Sequence, residues 1–522
     1  MTTTWGVASP HQTASDEAAA VLASGGNAVD AALAAAVVLT VVYPNQCSVG
    51  GDVIALVGTP DGRVHAIDGS GRSPAAADPA LLPSGTMPVE GAFSVTVPGA
   101  VAAWHELAEH WGTRPLARSL QRAAALAADG VPVAPGLARD LDRERDRVLA
   151  DPGMRAVFTR DGEVLSAGDT LQQVRLGATL GDIADGGADA FYRGDATRSI
   201  VRTLAGLGSP MREDDFASHR TWIGEAVSAT YGADEYVTAP PACQGVFFLE
   251  ALAALEQVRG ELGRDLDPLG DDAGRVATVL EAAAGDRDSM LGDRDVAPLD
   301  VEALLTTRAT AVARAALDPS GGRLATAQVK ASGDTVAIVA TDGGGTWVSL
   351  IQSTFHAFGS GVLDPASGVL LHNRGASFSL RPDSPNRYAG GRRPAHTLMP
   401  VLVRRDGLLV GAHGTMGGRA QPQIHTQVAL HLARGASVQE AVALPRWILG
   451  AMEAGASDDR QTVVNIERDT PELARRQLGE RFGVEVLPPH DDGTGHSQLV
   501  RRSADGIVAA TDPRADGAAH VG

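Results

Sequence analysis

The run Asp334-Thr335-Val336-Ala337-Ile338-Val339-Ala340-Thr341-Asp342 puts a threonine at the head of an alternating strand, directly after Ser332-Gly333. If the bond between Asp334 and Thr335 were cut, Thr335 would carry a hydroxyl nucleophile and a free α-amine able to act as its own general base. That combination suits attack on an amide carbonyl and needs no second side chain to activate it. A threonine at a strand start is more often there for β-propensity alone, so the surrounding elements have to discriminate.

Those elements form a hairpin. Asp342-Gly343-Gly344-Gly345 reads as a turn, after which Thr346 to Ser353 returns as a second strand. A turn centred on Gly344 sets Thr335 opposite Ser353, with Cβ atoms about 5 Å apart, so two hydroxyls meet at the open end. A one-residue bulge in the glycine turn would spoil that register. Between Asp318 and Asp334 the chain is polar and glycine-rich, which predicts an exposed, cleavable connection. Upstream, Ser24 to Asp30 is a turn leading into an alanine-rich helix that stops before Pro44. Strands follow at Val53–Val57 and Val64–Ile67, around a Pro60-Asp61-Gly62 turn. Residues from about 98 to 320 have the periodicity of a mainly helical region.

Composition narrows the function. At 522 residues and 44% hydrophobic content the chain can bury a large core. No apolar run reaches the roughly 18 residues of a membrane span, and Ala31 to Val42 reads as a buried helix. The N-terminus has neither a basic nor an apolar leader segment, so cytoplasm is the expected location. A formal charge of −19 disfavours a nucleic-acid partner. Cys47 and Cys243 are the only two cysteines, which excludes a disulfide framework and zinc-type spacing. Lys330 is the sole lysine, and without flanking glycines it offers no phosphate-binding loop. No metal or organic cofactor is implied. A homodimer is allowed by the sequence, but nothing in it argues for one.

In order along the chain stand Gly25-Gly26-Asn27-Ala28-Val29-Asp30, Val49-Gly50-Gly51-Asp52, Ser94 to Val101, Pro240-Pro241 with Gln244-Gly245, and Asp286-Arg287-Asp288. Phe358-Gly359-Ser360-Gly361, Arg393-Pro394, Gly414-Thr415-Met416-Gly417-Gly418 and Thr511-Asp512-Pro513-Arg514 follow. Together with Thr335 these segments resemble the gamma-glutamyltranspeptidase family of N-terminal-nucleophile hydrolases. The resemblance implies an α+β fold, the four-layer αββα sandwich. It also implies a precursor that cleaves itself before Thr335 into a large subunit, 1–334, and a small one, 335–522, both contributing to one unit.

Carried onto these positions, the resemblance makes Thr335 the nucleophile, Ser353 its hydroxyl neighbour, and Gly417-Gly418 the oxyanion-binding turn. The substrate side departs from the transpeptidase pattern. Val336 stands where the family has a second threonine after the nucleophile, the positions that bind the glutamyl group hold Phe355, Arg374 and Ser377 here, the serine pair is His396-Thr397, and the large-subunit arginine is displaced to Arg72. An aspartate that would meet an ammonium group is lost, and Arg374 adds a fork suited to a carboxylate. The segment His372 to Ser379 is closer to the oxamate amidohydrolase-like and acylase-like branch. Arg72, Arg374, Ser377, His396 and Thr397 are therefore the substrate-binding candidates, and the expected reaction is hydrolysis of a small carboxylate-bearing amide. A true gamma-glutamyltransferase and an unprocessed, non-catalytic relative remain the competing readings.

Overall fold

The computed structural model describes residues 3–318, 334–450 and 463–522. Lys330 and most of the connection before Asp334 lie outside the described residues. Helices and antiparallel sheets are mixed along the chain. One seven-stranded sheet has the spatial order Ala518–Val521, Gly6–Ser9, Asp334–Thr341, Trp347–Phe355, Asp52–Gly58, Val64–Asp68, Trp222–Glu225. A six-stranded sheet runs Gly506–Thr511, Ser497–Ser503, Leu408–Thr415, Val401–Arg405, Asp234–Thr238, Val227–Tyr231. Every pairing within these two sheets is antiparallel.

Strand period places alternate side chains on opposite faces. Val336, Ile338, Ala340, Val348 and Leu350 join a core with the helix Ala28–Val42, while Ala337, Val339 and Ile351 join another with Val237, Leu402, Ala412 and Val500 of the six-stranded sheet. Phe248, Val276 and Val312, from the helices Gly245–Leu262, Ala273–Met290 and Ala309–Leu317, belong to that second core. The two sheets approach closely at Gly414, where a Cβ would lie 2.8 Å from Ala337 Cβ and 2.9 Å from Ile351 Cδ1. Ser349 Oγ donates across the gap to the His413 carbonyl at 2.8 Å.

The predicted alanine-rich helix is present over Ala28–Val42 and buried along its whole length. Asn27 Oδ1 accepts from Asp30 N at 2.9 Å and Asp30 Oδ2 from Asn27 N at 3.0 Å, a reciprocal cap that satisfies two otherwise orphaned donors. A third donor, Ala28 N, is met by Asp342 Oδ2 at 2.9 Å, whose other oxygen accepts from Gly344 N and Thr346 N at 2.8 and 3.0 Å. Asp342 thus fixes the glycine turn of the hairpin and ties it to the start of the helix beneath. Between 98 and 320 the mainly helical reading needs a correction: besides four two-residue strands between Val131 and Leu171, longer strands occupy Trp222–Glu225, Val227–Tyr231 and Asp234–Thr238. They are four or five residues each; Trp222–Glu225 and Asp234–Thr238 pair with distant strands, while Val227–Tyr231 pairs with its neighbour Asp234–Thr238, and runs so short carry little periodicity. Among the described residues no helix is long and apolar enough to cross a membrane.

Replacing Asp342 with Ala removes acceptors from three backbone donors at a helix start and a turn. Denaturant unfolding of the variant should reveal a loss of about 2 kcal/mol. An unchanged midpoint and slope would refute the linking role.

Candidate active site

The hairpin pairs as its symmetry predicts from Val336↔Gln352 through Thr341↔Trp347, then slips by one residue, so that Asp334 lies opposite Phe355. Thr335 on one strand therefore faces two residues, Ser353 and Thr354, on the other. The bulge leaves the hydroxyl encounter intact: Thr335 Oγ1 lies 3.4 Å from Ser353 Oγ. Phe355 absorbs the irregularity with a φ of 82°, a left-handed conformation rare for an aromatic residue.

Ser353 is saturated. Its Oγ donates to the Asp334 carbonyl at 2.5 Å and accepts from Phe355 N at 2.6 Å and from Thr335 Oγ1. The carbonyl so engaged belongs to the bond between Asp334 and Thr335. Thr335 is 1% exposed, and Asp334 is half-buried. Burial raises the Asp334 carboxyl to about 8, with Asp140 and Asp492 adding to the effect and Arg143 opposing it.

Gly417 and Gly418 follow the strand Leu408–Thr415 and lead through a short 3-10 turn into the helix Gln421–Ala433. Gly417 has φ 142° and Gly418 φ 50°, and a Cβ on Gly417 would sit 2.4 Å from Ile424 Cδ1. Only glycine fits that turn without strain. Neither Gly417 N–H nor Gly418 N–H is donated to another group among the described residues, so both are free to receive developing negative charge. Gln244 anchors the turn: its Nε2 donates to the Gly418 carbonyl at 2.8 Å and to the Thr397 carbonyl at 2.6 Å. Arg287 Nη1 donates to the Arg419 carbonyl at 2.7 Å.

Arg374, Ser377, His396, Thr397 and Arg419 lie on the wall of one cavity of about 950 Å³. Arg374 is 1% exposed; its guanidinium stacks 3.3 Å from the Phe355 ring centroid and donates to Thr397 Oγ1 at 2.8 Å. Its Nε and Nη2 have no partner. Burial lowers its pKa to about 9, Asp52 opposing, which still leaves the fork charged at neutral pH. Ser377 Oγ donates to the Arg374 and Ala395 carbonyls at 3.0 and 3.1 Å. Thr335, Ser353, Gly417 and Gly418 are not on the cavity wall. Phe355 connects the Thr335–Ser353 pair to it, through its N–H on Ser353 and its ring under Arg374.

His396 is turned away from a ligand role: its Nε2 lies 3.2 Å from Asp52 Oδ2, and burial drives its pKa down to about 4, so the ring is neutral. His372 Nδ1 lies 3.2 Å from the same Asp52 oxygen. Burial alone would raise the Asp52 carboxyl, but the two imidazoles outweigh it and hold the group well below the usual carboxylate range. Arg72 is not gathered with the others. It binds Asp293, Asp295 and the Gly391 carbonyl and lines a different cavity. Asp52, Phe355, Arg419 and Gln244 are the members sequence reasoning left without a role. The one available signal was register, because Asp52 pairs directly with Ser353 across the sheet.

A family profile described as gamma-glutamyltranspeptidase matches residues 14–522. The chain is 34% identical to the oxamate amidohydrolase proenzyme of Klebsiella pneumoniae, over 98% of this chain and 97% of that one. It is 32% identical to the glutathione hydrolase-like YwrD proenzyme of Bacillus subtilis, with the same coverage of both. Among solved structures, the cephalosporin acylase from Bacillus halodurans superposes with a TM-score of 0.89 at 30% identity, covering 99% of this chain and 96% of that one.

The raised Asp334 carboxyl has a stability consequence of defined sign. The native chain keeps a proton that the unfolded chain, with a pKa of about 3.9, releases. The resulting stabilisation is complete at low pH and is lost as pH rises through about 8. Urea midpoints of an uncut Thr335→Ala protein should therefore fall between about pH 5 and about pH 9 by more than those of Thr335→Ala with Asp334→Asn. Equal falls would remove Asp334 as the source.

Proposed function

Because the chain belongs to the gamma-glutamyltranspeptidase family and is a hydrolase acting on amide bonds, we propose that it is made as a precursor, cuts itself between Asp334 and Thr335, and hydrolyses a small carboxylate-bearing amide through a Thr335 acyl-enzyme. The observation that carries this reading is the hydroxyl pair at the strand bulge, with Ser353 donating to the carbonyl of the bond to be cut. The two cores on either face of the seven-stranded sheet support the four-layer αββα arrangement. Strands on both sides of residue 335 pair with one another in one sheet, which supports two subunits held as a single unit.

In self-cleavage, Thr335 Oγ attacks the Asp334 carbonyl carbon while Ser353 Oγ–H stabilises the oxygen as it takes negative charge. The C–N bond breaks as the acyl group moves to Oγ and the hydroxyl proton passes to the departing nitrogen, and water hydrolyses the ester. Asp334 leaves as a carboxylate, Thr335 gains a free α-amine, and Ser353 loses its carbonyl partner. In turnover the amine takes the proton from Oγ, which attacks the substrate amide; Gly417 and Gly418 N–H groups receive the oxyanion. The protonated amine then supplies the departing nitrogen, and water resolves the acyl-enzyme.

Arg374 carries the substrate class. A buried, charged fork with two unpartnered nitrogens beside the cavity suits a carboxylate on the acyl portion. Recognition of a free α-ammonium has less support, because the wall carboxylates are already engaged: Asp288 by Arg287 and Arg419, and Asp383 by Arg381. Oxamate and glutaryl amides are the substrates to assay first.

Thr335→Ala should appear as one full-length chain on denaturing electrophoresis, without hydrolytic activity, while the unaltered protein resolves into two. Two bands from the variant would sink the assignment. Separately, Arg374→Gln should lower kcat/KM by about 10- to 100-fold for a glutaryl amide and far less for its uncharged counterpart, as expected for one charge-assisted contact. Equal losses on both substrates would show that Arg374 does not read the carboxylate.

A further inference from the structure

The cavity that receives Arg72 shares no lining residue with the catalytic one. Its volume is about 350 Å³, the size of a small organic ligand, and its wall includes Arg220, Trp222, Arg294 and Arg393. We propose that this cavity is a second ligand site, distinct from the catalytic cavity, that takes a small carboxylate borne on a flat apolar body.

The first argument is unmet hydrogen bonding. Among the wall residues, Arg294 Nη1, Arg393 Nε, His219 Nε2 and Thr221 Oγ1 are buried and have no partner. The guanidinium nitrogens can only donate, and the imidazole and hydroxyl can do so, so what the four have in common is the need for an acceptor. Buried polar groups are satisfied in the great majority of proteins, and four on one cavity indicate that an acceptor belongs there. Arg393 is the deepest, its side chain 6% exposed.

The second argument is charge. Four arginines line the wall against two carboxylates, Asp215 and Asp295. Asp215 already accepts Ala75 N and Arg212 N at 2.8 Å each, and Asp295 holds Arg72. Arg294 and Arg393 share the single carboxylate of Asp68 behind the wall. Burial lowers the pKa of both and a neighbouring arginine adds to it, Arg393 for Arg294 and Arg72 for Arg393, against opposing carboxylates: Asp295 for Arg294, and Asp293, Asp52 and Asp295 for Arg393. On the wall itself the arginines outnumber the carboxylates, and an anion in the cavity would meet that cationic face.

The third argument is shape. Arg294 stacks on Trp222 with its guanidinium carbon 4.2 Å from the ring centroid, which holds the planar fork in one orientation. Val97 and Trp222 provide the apolar portion of the wall, so the anionic head meets the arginines and the body meets these two. A small inorganic oxyanion would satisfy the donors but leave the apolar portion uncovered.

Calorimetric titration of the full chain with benzoate and, separately, with inorganic phosphate tests the site. Benzoate should bind at millimolar concentration or tighter, and Arg294→Gln should weaken it by about tenfold or more. The solvent-facing Arg220→Ala, which removes no buried partner, should weaken it several-fold, and Arg374→Gln in the catalytic cavity should leave it unchanged. Because binding is the readout, failure of self-cleavage or of hydrolysis leaves this result interpretable. Phosphate binding in preference to benzoate would overturn the carboxylate assignment. Absence of benzoate binding, or binding lost in Arg374→Gln and kept in Arg220→Ala and Arg294→Gln, would overturn the site.

Discussion

A single hydroxyl, that of Ser353, organises the centre of this molecule. It accepts from Thr335, accepts from the backbone of Phe355, and donates to the carbonyl of Asp334. One donor and two acceptor positions are all a serine has, and here all are used. The geometry depends on a bulge, since without the extra residue Asp334 would not lie opposite Phe355. Phe355 in turn forms the floor for Arg374, so the irregularity that aligns the hydroxyls also places the fork beside the cavity.

Around that hydroxyl, charge is arranged in depth. Asp52, paired with Ser353 across the sheet, is a buried anion held by two imidazoles, and its charge opposes the desolvation of Arg374. Gln244 links the glycine turn to Thr397, and Thr397 accepts from Arg374. The side that would bind an oxyanion and the side that would bind a carboxylate are thus held by one set of short polar contacts. A shift at either end is felt at the other.

Much of this was legible in the residues. The alternating run after Thr335, the glycine turn and the returning strand gave the hairpin, because period and turn chemistry are local properties. The helix Ala28–Val42 was legible for the same reason, through its cap and its unbroken apolar length. The bulge was not, since which strand carries an extra residue is not set by the period or the turn chemistry of either strand. Nor was the separation of Arg72 from Arg374: both read as carboxylate binders, and only the ion pairs to Asp293 and Asp295 place Arg72 elsewhere. The strands between Trp222 and Thr238 were not legible because each is only four or five residues long, and two of the three also pair with strands far off in the chain. His396 read as a pocket residue and does reach the cavity wall, while its ring nitrogen serves Asp52.

The order of strands in the seven-stranded sheet has a further meaning. Read across, its strands alternate between the part of the chain after residue 334 and the part before it: Ala518–Val521, then Gly6–Ser9, then the hairpin from Asp334 to Phe355, then Asp52–Gly58 and its neighbours. Two polypeptides interleaved in this way cannot drift apart by sliding along a surface, since separation would break ladder hydrogen bonds on both flanks of the hairpin and open both cores. Severing the backbone at that point would leave the assembly's cohesion nearly untouched while removing the covalent route by which an unfolded molecule could find its way back.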